Sequence, residues 1–162
     1  VKLCTVAGFP LGASPTSCKI NELKNSLKDG ASEIDMVMNI GYFKDKKYKF
    51  VSEEISSMVD NANGKIIKVI IEAGLLNKEE IITASQLVED SGAHFVKTST
   101  GFSDFGASTA IIQIIKATLK SDTQIKASGG IKTFKQLNDL INAGADRIGV
   151  SSSIIIMKDI TG

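Results

Sequence analysis

The chain has no tryptophan, two tyrosines, two cysteines, two prolines and one histidine in 162 residues. Each scarcity excludes something. Aromatic residues make up 6% of the chain and are not interleaved with basic ones, so the stacking platforms that bind single-stranded nucleic acid are missing. The formal net charge of +1 leaves no basic surplus for nucleic acid or an anionic membrane surface. Cys4 and Cys18 are too few for a disulfide scaffold and lack ligand spacing with His94. No metal site is therefore expected, and the cytosol is the default compartment. Long apolar runs are absent too: Ile154-Ile155-Ile156-Met157 is far too short to span a bilayer. No signal peptide is expected from the opening residues. Val1 is not an initiator methionine and a strand pattern begins at once, so residues are expected upstream.

What the chain does have is regular punctuation, with 14 glycines. Strand patterns are read over Lys2–Ala7, Ser32–Ile40, Ile66–Ile71, the segment around Lys97, the segment around Lys126, and Arg147–Val150. Between them fall helix patterns. Pro15 opens one that stops at Gly30, and Phe50, Val51, Ile55, Met58 and Val59 mark the next by their spacing. Asn77 with Glu80, and Thr133 with Gln136, read as capping pairs. Ile111, Ile112, Ile115 and Leu119 form a core stripe on a helix from about Ser108 to Lys120, and Ser151 to Met157 reads as a short last helix. Strict alternation of strand and helix predicts a parallel sheet. No Gly-x-Gly-x-x-Gly turn follows any strand, which argues against a dinucleotide-binding fold.

Two lysines break this apolar pattern. Lys97 lies in Phe95-Val96-Lys97-Thr98-Ser99-Thr100-Gly101-Phe102, and Lys126 in Gln124-Ile125-Lys126-Ala127-Ser128-Gly129-Gly130. A strand lysine is usually salt-bridged or snorkelling. A buried ammonium must find a counter-charge or give up its proton, and a neutral lysine is a nucleophile towards carbonyls. An internal repeat bears on the choice. Gly30-Ala31, Gly92-Ala93 and Gly144-Ala145 each end a helix, and five residues after each glycine stand Asp35, Lys97 and Gly149. Equal offsets predict similar depth and the same pleat parity, so a carboxylate and a lysine should point together into one interior. Other polar residues read more plainly. Lys68 and Glu72 suit an interior charge network without a catalytic role. His94 suits a surface or a satisfied histidine, and Cys4 small apolar filler.

The segments quoted above, with Gly30-Ala31-Ser32-Glu33-Ile34-Asp35-Met36-Val37, Thr5 to Gly12 and Arg147 to Ser152, resemble the 2-deoxyribose-5-phosphate aldolase family over essentially the whole chain, in order. The resemblance implies a (β/α)₈ barrel of which residues 1–162 supply strands three to eight as one partial domain. The first two βα units and most of the final helix would be lacking. Such barrels typically need about 200 residues or more. It further implies reversible cleavage of 2-deoxy-D-ribose 5-phosphate to acetaldehyde and D-glyceraldehyde 3-phosphate in deoxyribonucleoside catabolism, without a cofactor. By position in the matching motifs, Lys97 would form the Schiff base. Lys126 would be the neighbouring cation that keeps the Lys97 amine neutral, and Asp35 the acid of a proton relay with Lys126 and water. A free lysine titrates near ~10.4, so a drop of roughly three units needs about 4 kcal/mol of repulsion and desolvation. The phosphate is expected on Gly129, Gly130, Ser151 and Ser152, with Thr100 and Gly101 beside it, since bare amides and a helix start hold anions. Some relatives carry lysine where Phe102 stands, which removes a cation from that contact. A homodimer is the family-level expectation. Two other readings stand beside this one: a Schiff-base barrel aldolase for another sugar phosphate, and a non-catalytic phosphometabolite-binding fragment.

Overall fold

A computed structural model describes residues 1–161, with side chains described through residue 158. Six strands form one sheet: β1 (Cys4–Ala7), β2 (Glu33–Val37), β3 (Ile66–Ile70), β4 (Phe95–Lys97), β5 (Gln124–Ser128) and β6 (Arg147–Gly149). They pair in chain order and every pairing is parallel. The connecting helices are α1 (Thr16–Lys28), α2 (Ile40–Lys44), α3 (Tyr48–Asn61), α4 (Lys78–Asp90), α5 (Thr109–Thr118) and α6 (Phe134–Asn142), and α7 (Ser153–Thr161) follows β6. Both capping pairs read from the sequence close as reciprocal capping boxes at the starts of α4 and α6.

The sheet has two chemically distinct faces. One carries Ile34, Met36, Ile67, Val69, Val96, Ile125 and Ala127, which pack with Leu23, Val51, Ile55, Met58, Ile81, Val88, Ile112 and Ile115 of the helices in a single core. Burying each valine, leucine, isoleucine or methionine side chain of this set is worth about 1.5–3 kcal/mol, so this layer drives the fold. The alternate residues face the other way. Parallel register keeps partners on the same face: Asp35 is level with Lys68, Lys97 with Lys126, and Lys126 with Arg147. The charged residues of five strands are thereby collected on the concave side.

That side is strongly curved. In a flat sheet β2 and β6, four steps apart, would lie ~19 Å from one another. Yet Arg147 on β6 donates to Glu33 on β2 at 2.6 Å. The sheet therefore curls into an open barrel, and Arg147 crosses its floor.

Three differences from the expected elements stand out. Strand β2 stops at Val37 because Asn39 caps the short helix α2, its side chain accepting the Tyr42 amide. That helix, whose first residue Ile40 ends the stretch read as strand, has no counterpart in the sequence pattern. Helix α7 begins at Ser153, two residues later than expected, and runs past Met157 to Thr161. The expected shortening of the last helix concerns the chain end, where Gly162 lies outside the described residues.

Candidate active site

The centre of the concave face is Asp35, 2% exposed at the middle of β2. Its two oxygens have different neighbours. Oδ2 accepts from Lys97 Nζ at 2.8 Å and from Lys126 Nζ at 2.7 Å. Oδ1 accepts from Lys68 Nζ at 2.8 Å and from Cys4 Sγ at 3.2 Å. Residues 35, 97 and 126, singled out in the sequence, thus meet at one carboxylate oxygen. One layer below, Glu33 Oε2 accepts from Lys68 at 2.7 Å and from Arg147 at 2.6 Å. The interior therefore holds Lys68, Lys97, Lys126 and Arg147 against Glu33 and Asp35, an excess of cations.

The protonation preferences follow from this packing. Burial alone would raise the Asp35 carboxyl. The Lys97 charge and the hydrogen bonds from Lys126, Lys68 and Lys97 prevail and hold it far below the usual carboxylate range. Lys97 moves the opposite way from a paired surface lysine: burial lowers its ammonium, Asp35 resists, and the Lys126 charge adds a smaller push in the direction of burial. On sequence grounds repulsion by Lys126 is expected to matter most; in the structure desolvation leads. Lys68 is also desolvated, but its bonds to Asp35 and Glu33 outweigh that and raise it, so it stays charged.

Above this layer lies a cavity of about 380 Å³ at the carboxyl ends of β4, β5 and β6. Lys97 and Lys126 form its floor, and Thr100, Gly101, Gly129, Gly130 and Ser151 are in its wall. Ser152 does not line it; its carbonyl instead accepts the Ile156 amide in the first turn of α7. The wall is stitched together by hydroxyls. Thr98 Oγ1 donates to the Ser128 carbonyl and accepts the Ser128 amide, and Ser128 Oγ donates to the Ser99 carbonyl at 2.6 Å. Gly129 and Gly130 have φ of +89° and +73°, and a Cβ on Gly106 would lie 2.2 Å from the Gly129 carbonyl oxygen. Only glycines allow so close a meeting of two loops beside the cavity.

Several residues around the site have roles that the sequence pattern does not announce. Cys4 is a thiol donor to Asp35 on the concave face, where small apolar filler is expected. Burial, then the Asp35 charge, pushes its thiol up. Lys68 joins an interior charge network as expected, but Glu72 does not share it. Glu72, at φ +47°, instead accepts from the Thr100 amide and hydroxyl and from Ser103 Oγ, and so anchors the loop after β4. Phe102, 77% exposed, makes an edge-to-face contact with Phe9 at 5.4 Å between ring centres. His94 is satisfied, its Nδ1 accepting the Ile67 amide at 3.2 Å. Among the described residues no cluster of His, Cys, Asp or Glu could hold a metal ion.

A buried lysine sharing a carboxylate with a second lysine, at the strand ends of a curled parallel sheet, can form and protonate an imine. Residues 9–155 match the model of the DeoC/LacD family aldolases. The chain belongs to that family. A relative from Dictyoglomus turgidum named deoxyribose-phosphate aldolase is 52% identical over 158 residues, which cover 98% of this chain and 72% of the relative. A Staphylococcus haemolyticus protein of the same name is 48% identical over the same span. Among solved structures, the aldolase QR15 superposes with a TM-score of 0.96 at 43% identity, covering 99% of this chain and 73% of its own. A deoxyribose phosphate aldolase from Aeropyrum pernix, described as tetrameric, superposes with a TM-score of 0.92 at 33% identity, covering 100% and 69%. The curled six-stranded sheet is accordingly most of a family barrel, and this member is an aldolase.

Proposed function

We propose that the chain reversibly cleaves 2-deoxy-D-ribose 5-phosphate to acetaldehyde and D-glyceraldehyde 3-phosphate through a Schiff base on Lys97. The observation that carries this reading is the shared Asp35 oxygen, which sets two ammonium nitrogens 2.8 and 2.7 Å from one point at the floor of the cavity. Desolvation of Lys97 favours the neutral amine that attacks the C1 aldehyde; loss of water leaves the imine. With its nitrogen protonated, the imine draws in the electron pair of the C2–C3 bond as the C3 hydroxyl loses its proton. Glyceraldehyde 3-phosphate departs and an enamine remains. A proton added at C2, then hydrolysis, frees acetaldehyde and the lysine. Lys126 and water carry these protons in this reading. Asp35, held ionised, is the anion that aims both lysines rather than a standing acid.

The phosphate is assigned to Gly129, Gly130 and Ser151, with Thr100 and Gly101 beside them in the cavity wall; Ser152, just before α7, lies off the lining and is left out of the assignment. Backbone amides at glycines and a helix start are what such an anion needs. The six units are read as strands three to eight of the barrel. A homo-oligomer and a cytosolic location complete the proposal; among the described residues no helix is long and apolar enough to cross a membrane.

The test is chemical trapping. Incubation with 2-deoxyribose 5-phosphate and borohydride should leave a reduced adduct at Lys97, located by peptide mass spectrometry. A fully active protein with Lys97 unlabelled refutes the mechanism, and preferential turnover of another sugar phosphate in a panel refutes the substrate.

A further inference from the structure

Beneath the lysine pair runs a second set of charges that the proposed chemistry does not use. Glu33 is buried, and its Oε2 accepts from both Lys68 and Arg147. Its other oxygen, Oε1, is buried without a hydrogen-bond partner among the described residues and has Lys2 Nζ at 3.8 Å. Lys68 Nζ lies between two carboxylates, 2.7 Å from Glu33 and 2.8 Å from Asp35. Arg147 is fixed a second way, its guanidinium lying over the Phe95 ring at 4.7 Å. A continuous chain of contacts thus runs from Arg147 through Glu33, Lys68 and Asp35 to the Lys97 amine.

An isolated structural pair would not need this continuity. On the concave face Lys97 meets Asp35 of β2 and Lys126 of β5, with Lys68 of β3 and Cys4 of β1 on the far oxygen of Asp35. Asp35, Lys68 and Lys97 are buried and the Lys126 side chain is mostly so, a poorly solvated space where a charge two residues further down a strand is felt, while Cys4 stands at its exposed edge. Resting on the Schiff-base reading above, we propose that Glu33 and Arg147 are positioning residues that tune how readily the Lys97 amine loses its proton, acting through Lys68 and Asp35. Glu33 supplies the negative potential that counters the excess of cations. Arg147 offsets part of it and holds Glu33 under Lys68.

Opposite charges give opposite signs, which a role in packing alone cannot imitate. Removing the Glu33 charge should ease deprotonation of Lys97, and removing the Arg147 charge should hinder it. The measurement is the pH dependence of borohydride trapping at Lys97, paired with substrate-free acetic anhydride labelling of the same amine across pH. In Glu33→Gln the acidic limb should move down by about half to one pH unit; in Arg147→Gln it should move up by a similar amount. The double variant should return close to the parent, and Arg147→Lys, which keeps the charge, should leave the limb in place. Two limbs moving the same way, or neither moving, overturn the proposal. Absence of any Lys97 adduct in the parent chain would instead sink the Schiff-base reading, while the anhydride labelling still decides this one.

Discussion

Lys19 and Glu54 form a buried pair outside the barrel interior, and removing one of them should be far costlier than removing both. Lys19 is fully buried; its Nζ donates to Glu54 Oε2 and to the Val37 carbonyl, each at 2.8 Å. The same Glu54 oxygen accepts the Asn39 amide at 3.1 Å, so the pair grips the chain just after β2, two to four residues beyond Asp35. Burial holds the Lys19 ammonium below its ordinary range and the Glu54 carboxyl above its own. Both partners, in other words, lose more by desolvation than they recover from each other. Lys19→Met should then strand a buried carboxylate and cost about 3–5 kcal/mol, and Glu54→Leu a similar amount. For a chain of this length that is a fall in melting temperature of about 9–15 °C. The double variant should stay within about 2 kcal/mol of the parent, its residual loss being the unpaired Val37 carbonyl and Asn39 amide. Denaturant unfolding followed by circular dichroism at pH 7 gives all four corners of the cycle. Single variants that lose less than about 1 kcal/mol, or a double variant that loses the sum of the two, would refute the reasoning.

Glu72→Gln should loosen the loop after β4, because the carboxylate accepts from Thr100 and Ser103. Loss of these charge-assisted bonds predicts a rise in KM for the phosphorylated substrate on the order of tenfold, with trapping of free acetaldehyde at Lys97 unchanged. Equal loss in both assays would place Glu72 in general stability instead. Acid should also destabilise the interior in a defined window. Asp35 and Glu33 both titrate below their unfolded values, so the stability they contribute is present above about pH 4 and is lost as pH falls towards their folded values. Glu54 works the other way, since its folded carboxyl is raised. The melting temperature should therefore fall steeply below about pH 4 in the parent and less steeply in Glu33→Gln.

Much of this was legible because a parallel strand has period two and each βα turn repeats the same offset. Counting from Gly30 and Gly92 alone places Asp35 and Lys97 on one face. The same counting extends to Glu33, two residues below Asp35, and to Arg147, two below Gly149, yet it does not pair them. It spans 114 positions in the chain and depends on how far the sheet curls, a property no local pattern carries. Lys19 shows a different limit. On an amphipathic helix a lysine looks solvent-facing, and only the fold brings Glu54 over it. Asn39 was hidden by apolar residues on both sides, which extended the strand reading through a helix cap.

The register has one further consequence. Lys126 is flanked along β5 by Ile125 and Ala127, whose side chains belong to the helix-facing layer. A slip of a single residue in β5 would carry the ammonium through the sheet into that hydrocarbon and turn an isoleucine towards Asp35. Insertions in β4 or β5 should therefore be eliminated by failure to fold before any loss of turnover could be scored, whereas the polar turn from Ser121 to Thr123 has room for them.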